Sequence, residues 1–237
     1  MFHANLSGRS GPHFRMLSRF RSVALFAALA FGVCAGAAAR MPGEREPDIY
    51  ECGSLSNHFG PFDYRNQRRG LSIVERAHFS PNIEGLVTGN TGSLGGEIGY
   101  TLRAYPNHPR ALMAMVRLAF RDRTETPTNA KFSVECYLKR AELFRPDDWE
   151  VKSIYGAFLL RAGRVEEAIE YFERSEEMSG GESLSLQYNL GLAYLKASKY
   201  EQALEKAHLV YSRGFQLPGL RNGLKRAGRW SDRKVER

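Results

Sequence analysis

Apolar residues recur at helical spacing through most of the chain beyond residue 83. Residues 109–122 are the strongest case, because the apolar positions of "PRALMAMVRLAFRD" fall on one face of an α-helix. The stripe that this helix would bury consists of Leu112, Met115, Val116 and Ala119. The same spacing predicts further helices at residues 70–79, 93–104 and 130–144. The pattern therefore predicts an all-α protein.

The strongest long-range signal is an internal repeat. Residues 149–180 align with residues 184–215 at an offset of 35 positions. Each copy has a glycine within its first helix, Gly156 or Gly191, and an alanine in its second helix. A glycine inside a helix costs about 1 kcal/mol relative to alanine, and it is tolerated where two helices cross closely. The repeat therefore predicts two consecutive helical hairpins.

These positions resemble the tetratricopeptide repeat (TPR) family. "YNLGLAY" at 188–194, followed by Tyr200 and Ala203, is similar to the family's first-helix motif and second-helix small residue. "AGRVEEAIEYFERS" at 162–175 is similar to the family's turn glycine and the residues that follow it. The resemblance implies a short TPR-type solenoid of helical hairpins, with an irregular N-terminal segment and a C-terminal capping helix.

Upstream of residue 149 the resemblance weakens. Ala141 and Pro146 keep the family's spacing, but the helix at 109–122 lacks the glycine and is followed by a loop several residues too long. The predicted divisions are a leader at 1–39, a linker and aromatic-rich irregular segment at 40–82, degenerate hairpins at 83–148, repeats at 149–182 and 184–217, and a cap with a basic tail at 218–237.

The leader has the features of an export signal. Residues 1–39 contain four arginines and no acidic residue, and residues 22–39 are uncharged and end in small residues. Both a cleaved signal peptide and an uncleaved inner-membrane anchor fit residues 22–39, and Met16 is an alternative start. We therefore expect a periplasmic protein or, alternatively, one that is anchored to the inner membrane.

Export affects how the cysteines are interpreted. Cys34 lies in the leader, which leaves Cys52 and Cys136 in the remainder of the chain. An even pair in an oxidising compartment can form a disulfide, and two separate buried thiols are the alternative. Neither cysteine belongs to a C-x-x-C motif, so the sequence predicts no zinc or redox site.

The resemblance also implies a binding surface, because the first helix of each TPR hairpin lines the concave face of the solenoid. The positions that correspond to this face, and that we expect to bind a partner, are Ser153, Leu160, Arg161, Tyr188, Leu192, Leu195 and Lys196. The apolar members on the second repeat need a cover. It would be a partner or the chain's own aromatic-rich segment, residues 49–70, which contains Phe59, Phe62 and Tyr64.

Catalytic and metal-binding motifs are not recognisable. The six histidines are scattered, and Glu75-x-x-His78 is a lone pair of candidate ligands. Residues 89–96 are rich in glycine but lack the Lys-Ser/Thr of a phosphate-binding loop. Asp147 and Asp148 precede a predicted helix, where N-capping is their expected role. We therefore predict no catalytic residue, no cofactor and no metal.

The basic tail, residues 221–237, favours a solvated terminal helix or contact with anionic lipid head groups over nucleic-acid binding. The function predicted from the sequence is a non-catalytic scaffold or adaptor that binds a protein or peptide in the bacterial cell envelope. The alternative is an envelope enzyme or ligand-binding protein with its site in residues 49–100 and the repeats as a docking surface.

Overall fold

Helical hairpins dominate the structure, a computed structural model that describes residues 52–67 and 70–232. Within those ranges there are ten helices and no strand, and the described residues belong to one compact unit. The helices are α1 (Leu71–His78), α2 (Pro81–Glu84), α3 (Leu94–Ala104), α4 (Pro109–Asp122), α5 (Val134–Phe144), α6 (Trp149–Ala162), α7 (Val165–Ser179), α8 (Leu184–Lys196), α9 (Tyr200–Ser212) and α10 (Gly219–Arg226).

The two copies of the repeat are the hairpins α6–α7 and α8–α9, as the sequence predicted. Asp148 caps the start of α6, where its carboxylate accepts hydrogen bonds from the backbone N–H groups of Glu150 and Val151. Gly163 ends the same helix in a left-handed conformation, with φ of 87°. The second hairpin begins at Ser183, whose hydroxyl accepts from the N–H of Leu186. Local capping therefore sets the hairpin boundaries.

Successive hairpins stack into a short helical-repeat solenoid. The first helices α4, α6 and α8 contact one another in that order, and α5 and α7 each pack against the first helix of the next hairpin. One continuous hydrophobic core extends from Phe79 to Leu224. The four residues of the predicted α4 stripe are all buried within it.

Two features complete the ends of the solenoid. At the C-terminal end, α10 packs on both α8 and α9, as expected of a capping helix. At the other end, α1 packs on α3 and α3 packs on α4, so residues upstream of 109 extend the stack. The helix predicted at 130–144 begins instead at Val134, because Ser133 caps it by accepting from the N–H of Cys136. Residues 1–39 and their predicted leader lie outside the described residues.

None of the described helices is long and apolar enough to span a bilayer.

Candidate partner-binding site

Part of the predicted binding surface is assembled on the face shared by α4, α6 and α8. The Nζ of Lys196 donates to the backbone oxygen of Leu160 at 3.1 Å and so links α8 to α6. The guanidinium of Arg161 lies 4.5 Å from the ring centroid of Phe120 in α4. Ser153 is half-buried nearer the start of α6. The structure therefore brings Leu160, Arg161 and Lys196 together.

The other end of this face is covered by the chain itself. Tyr188 is only 7% exposed, and its ring centroid lies 4.9 Å from that of Phe215. A β-carbon at Gly219 would stand 2.5 Å from the Tyr188 hydroxyl oxygen, and one at Gly223 would stand 2.3 Å from Cδ2 of Leu195. Helix α10 and the residues before it therefore close the groove at Tyr188 and Leu195.

The prediction that Tyr188, Leu192 and Leu195 bind a partner depends on an open groove, and the structure closes that groove with α10 at Tyr188 and Leu195. Tyr188 is a core residue, and Leu192 and Leu195 are half-buried against the core. The expectation that residues 49–70 would cover them is wrong for the described part of that segment. A capping helix carries no repeat motif, so the sequence pattern did not show that α10 would lie on this face.

The aromatic residues of that segment pack at the opposite end of the solenoid. The ring centroid of Phe62 lies 5.5 Å from that of Tyr105, and the ring centroid of Tyr64 lies 4.4 Å from that of His108. Phe59 joins them around Leu71 of α1. They thus anchor an irregular stretch of chain on α1 and on the turn between α3 and α4.

The same segment is tied to α5 by a disulfide and by a buried arginine. Cys52 and Cys136 are bonded, with an S–S distance of 2.12 Å. Nη1 of Arg140 donates to the backbone oxygens of Cys52, Gly53 and Ser54 at 2.8–2.9 Å. Burial lowers the pKa of Arg140 from its ordinary value, yet three backbone carbonyls accept from its Nη1–H groups. Residues 52–54 are therefore held on α5 from two sides.

A polar network ties the segment to two successive inter-hairpin turns. The side-chain amide of Asn107 donates to Asp63 at 2.7 Å and to Asp148 at 2.9 Å. Arg65 forms ion pairs with Asp63 and with Asp147. Burial alone would raise the pKa of Asp63, but the hydrogen bonds from Arg65 and Asn107 outweigh it and hold that pKa below its ordinary value. These carboxylates are therefore structural.

A concave pocket lies between α4 and α6, which are the first helices of two successive hairpins. A pocket of about 440 Å³ is formed by the C-terminal ends of α4 and α6 and the start of α5. Its apolar lining consists of Ala119, Phe120, Val134, Phe158 and Ala162. The exposed residues Arg123 and Glu125 stand at its edge. It is therefore a concave, mostly apolar site with a few polar groups, the ordinary form of a binding pocket.

The length of the preceding loop explains the pocket. Residues 123–133 separate α4 from α5, whereas only residues 163–164 separate α6 from α7 and residues 197–199 separate α8 from α9. The short turns let the two helices of a hairpin pack up to their ends. The long loop does not, and the ends of α4 and α5 leave space beside Phe158.

One wall of the pocket is fixed by a hydrogen-bonded carboxylate. Oε1 of Glu135 accepts from the Tyr155 hydroxyl at 2.9 Å and from Nη1 of Arg164 at 2.7 Å. Burial and the adjacent carboxylate raise the pKa of Tyr155, so its hydroxyl remains a donor at neutral pH. The wall is thereby held in place before any ligand arrives, which reduces the ordering cost of binding.

None of the residues that line this pocket belongs to the partner-binding set predicted from the sequence. Phe120 and Phe158 were part of helices whose stripes were assigned to the core, and their rings lie 5.9 Å apart. The signal that pointed to the site was the loop that is too long for the family's spacing. Loop length indicates that the hairpin is irregular, but it does not give the volume enclosed.

A buried carboxylate is the centre of a hydrogen-bonded cluster within residues 78–97. The carboxylate of Glu97, 4% exposed, pairs with His78 and accepts from the N–H groups of Thr91 and Gly92. Burial would raise the pKa of Glu97, but these donors lower it overall. Glu75 pairs with His108, so the two residues of the Glu75-x-x-His78 motif have different partners. Within the described parts of the chain, no group of three or more His, Cys, Asp or Glu residues is placed to hold a metal.

Comparison with known families agrees with this geometry. A family model described as the tetratricopeptide repeat matches residues 135–183 and, in an overlapping second match, residues 159–211. The two matches run from the first turn of α5 to the last turn of α9. No curated protein matches the chain.

Proposed function

We propose that this protein, which contains tetratricopeptide repeats at residues 135–211, is a non-catalytic scaffold. We further propose that it binds a partner polypeptide in the bacterial cell envelope. The observation that carries the proposal is the pocket between α4 and α6. It offers two aromatic rings and three aliphatic groups to an incoming side chain. A partner inserts an apolar anchor residue there, as the buried hot spots of protein interfaces do.

The residues around the pocket support this assignment. Arg161, stacked on Phe120, and the exposed Arg123 and Glu125 surround the apolar lining with charge. An apolar centre with a polar rim is the usual organisation of a protein-binding surface. The partner's backbone and polar side chains pair with this rim, whose members lie on α6 and the loop 123–133. The groove over α8 has no such role, since α10 fills it.

The location in the envelope rests on two supports. The leader at residues 1–39 has the composition of an export signal. The disulfide between Cys52 and Cys136 is of a kind that persists in oxidising compartments. Intact-mass measurement on cell fractions tests this part: we expect a non-cytoplasmic product that starts near Arg40. An oxidised, uncleaved product in the membrane fraction would support the anchored alternative, and a reduced cytoplasmic product would contradict both.

Affinity capture with a pocket-filling variant tests the binding function. Ala162 lies at the exposed end of α6 and lines the pocket, so Ala162→Trp fills the space without disturbing the core. We expect this variant to lose partners that the parent protein captures from envelope extracts. Ala227→Trp adds the same side chain at another exposed helix end and is the matched control. Equal capture by all three proteins would overturn the assignment of the pocket.

A further inference from the structure

The outer surface of α10 and of the residues beside it is strongly basic. The helix buries Leu220, Gly223 and Leu224 in the core and turns its remaining positions outward. We define the basic cap as the cationic residues on and beside this helix, namely Arg213, Arg221, Lys225, Arg226 and Arg229. Four of the five are exposed, and Arg221 is half-buried. Residues 213–232 contain these five basic residues and one acidic residue, Asp232.

The basic cap is not neutralised by neighbouring acidic residues. Within residues 52–67 and 70–232, no carboxylate lies within 4.0 Å of a nitrogen of any of its members. Other parts of the same solenoid behave differently: Arg110 pairs with Glu84, and Arg164 pairs with Glu135 and Glu167. The field of the cap is therefore directed to solvent.

Aromatic rings hold two of these cations without cancelling their charge. The guanidinium of Arg221 lies 4.2 Å from the ring centroid of Tyr211 and 5.2 Å from that of Trp230. That of Arg229 lies 5.2 Å from the ring of Tyr200. Stacking leaves the charge of a guanidinium in place, and the terminal Nη groups remain available to bond phosphate oxygens, although Nε of Arg221 is buried. The cations are thus positioned in advance.

Apolar and amphipathic groups flank the same surface. Leu217, in the connection before α10, is 56% exposed. Trp230 is half-buried at the other end of the helix, and its Nε1 donates to Asp232 at 3.1 Å. Tryptophan, tyrosine and leucine beside a cluster of Lys and Arg are typical of surfaces that rest at the interface of an anionic bilayer.

We propose that the basic cap docks the solenoid on a membrane surface rich in anionic phospholipid head groups. Arg and Lys contact the lipid phosphates, and Leu217 enters the head-group region. The cap belongs to α10 and its flanks, which pack on α8 and α9, whereas the pocket belongs to α4, α5 and α6. The two surfaces share no residue, so a membrane-docked molecule keeps its pocket available.

Vesicle co-sedimentation of the full chain tests the proposal. The variant Lys225→Gln/Arg226→Gln/Arg229→Gln removes three exposed cations from the cap. The control Arg76→Gln/Lys139→Gln/Arg174→Gln removes three exposed cations from α1, α5 and α7 that form no ion pair with a described residue. Both retain the basic leader, so any contribution of residues 1–39 is the same in each. Vesicles of phosphatidylcholine alone are compared with vesicles that contain phosphatidylglycerol, and thermal melts confirm that both variants fold.

We expect the cap variant to lose at least about tenfold in partition onto the anionic vesicles at low salt, because it lacks three cations that an anionic surface attracts. The control should bind as the parent does. Equal binding by the cap variant and the control would overturn the proposal. So would tighter binding of the parent to polyglutamate than to the anionic vesicles, since that result would assign the cap to an acidic polypeptide.

Discussion

Gly191 of α8 lies directly beneath Leu220 of α10. A β-carbon at Gly191 would stand 2.5 Å from Cδ2 of Leu220 and 3.1 Å from Cβ of Lys206 in α9. The absence of a side chain at Gly191 therefore lets α8 pack closely against both α9, its hairpin partner, and α10, the capping helix. The corresponding Gly156 meets the ring of Phe172, at 2.9 Å from the position of its missing β-carbon.

Gly191→Leu should be among the most destabilising substitutions in the chain. The added side chain must displace both α9 and α10, and overpacking of this kind costs about 1–3 kcal/mol or more. For a domain of this size we expect the melting temperature to fall by about 3–10 °C. Ala227→Leu, at the exposed end of α10, is the control and should melt close to the parent. A Gly191→Leu melt within a degree of the parent would contradict the packing.

The sequence predicted the hairpins because their glycines, turns and alanines repeat at a fixed offset. It did not predict what each glycine faces. Gly156 meets an aromatic ring within its own hairpin, whereas Gly191 meets a leucine from a helix outside the repeat. Helix periodicity shows which residues share a face, but it does not show which neighbour covers that face. For this reason the sequence places Tyr188 on the expected partner-binding face, whereas the structure buries it in the core.

The disulfide should contribute substantially to stability. It joins residues 84 positions apart, and loss of a native disulfide in a small domain typically costs about 2–5 kcal/mol. We expect Cys52→Ser/Cys136→Ser to unfold at a lower urea concentration than the oxidised parent and to be cleaved faster by chymotrypsin at Phe59, Phe62 and Tyr64. Reduction of the parent should reproduce both effects. An unchanged urea midpoint would show that the non-covalent contacts of the segment, those of Arg140 among them, hold it without the disulfide.

His108 should make the fold sensitive to acid. Its Nδ1 accepts from the N–H of Ala111, and its Nε2–H donates to Glu75, so the neutral ring satisfies both partners. Burial, and secondarily the charge of Arg110, lower the pKa of His108 to about 3, while Glu84 acts in the opposite direction. The unfolded state, with a pKa near 6.5, therefore takes up the proton first. Stability is lost as pH falls from about 6.5 towards about 3, by up to about 1.4 kcal/mol per unit.

His108→Asn tests this dependence. Asparagine is a good N-cap and does not titrate, so the variant should have a shallower loss of stability between pH 6.5 and pH 4 than the parent. The comparison requires urea unfolding at several pH values, with the exposed His58→Asn as control. If stability falls with pH equally in all three proteins, folding does not lower the pKa of His108, and the prediction is wrong.

The lining of the pocket could not be predicted from the sequence. The overlong loop at 123–133 was visible in the sequence, and the resemblance showed that the hairpin was irregular. All of α5 lies between Phe120 and Phe158 in the chain, and only the three-dimensional packing of α4 on α6 brings their ring centroids to 5.9 Å. The predicted residues Leu160 and Arg161 lie on the same first-helix face as the proposed pocket, whereas Tyr188 and Leu195 of α8 lie against the capping helix.

Site-specific photo-crosslinking in cells tests the central claim most directly. A photoreactive phenylalanine analogue is placed at Arg123 on the pocket edge, at Leu192 on the α8 face, and at the exposed Met178 of α7 as control. We predict a discrete crosslinked partner at position 123 that disappears when Ala162→Trp is added, and none at position 178. Crosslinks at position 192 that survive Ala162→Trp, with none at position 123, would contradict the assignment of the binding site to the pocket.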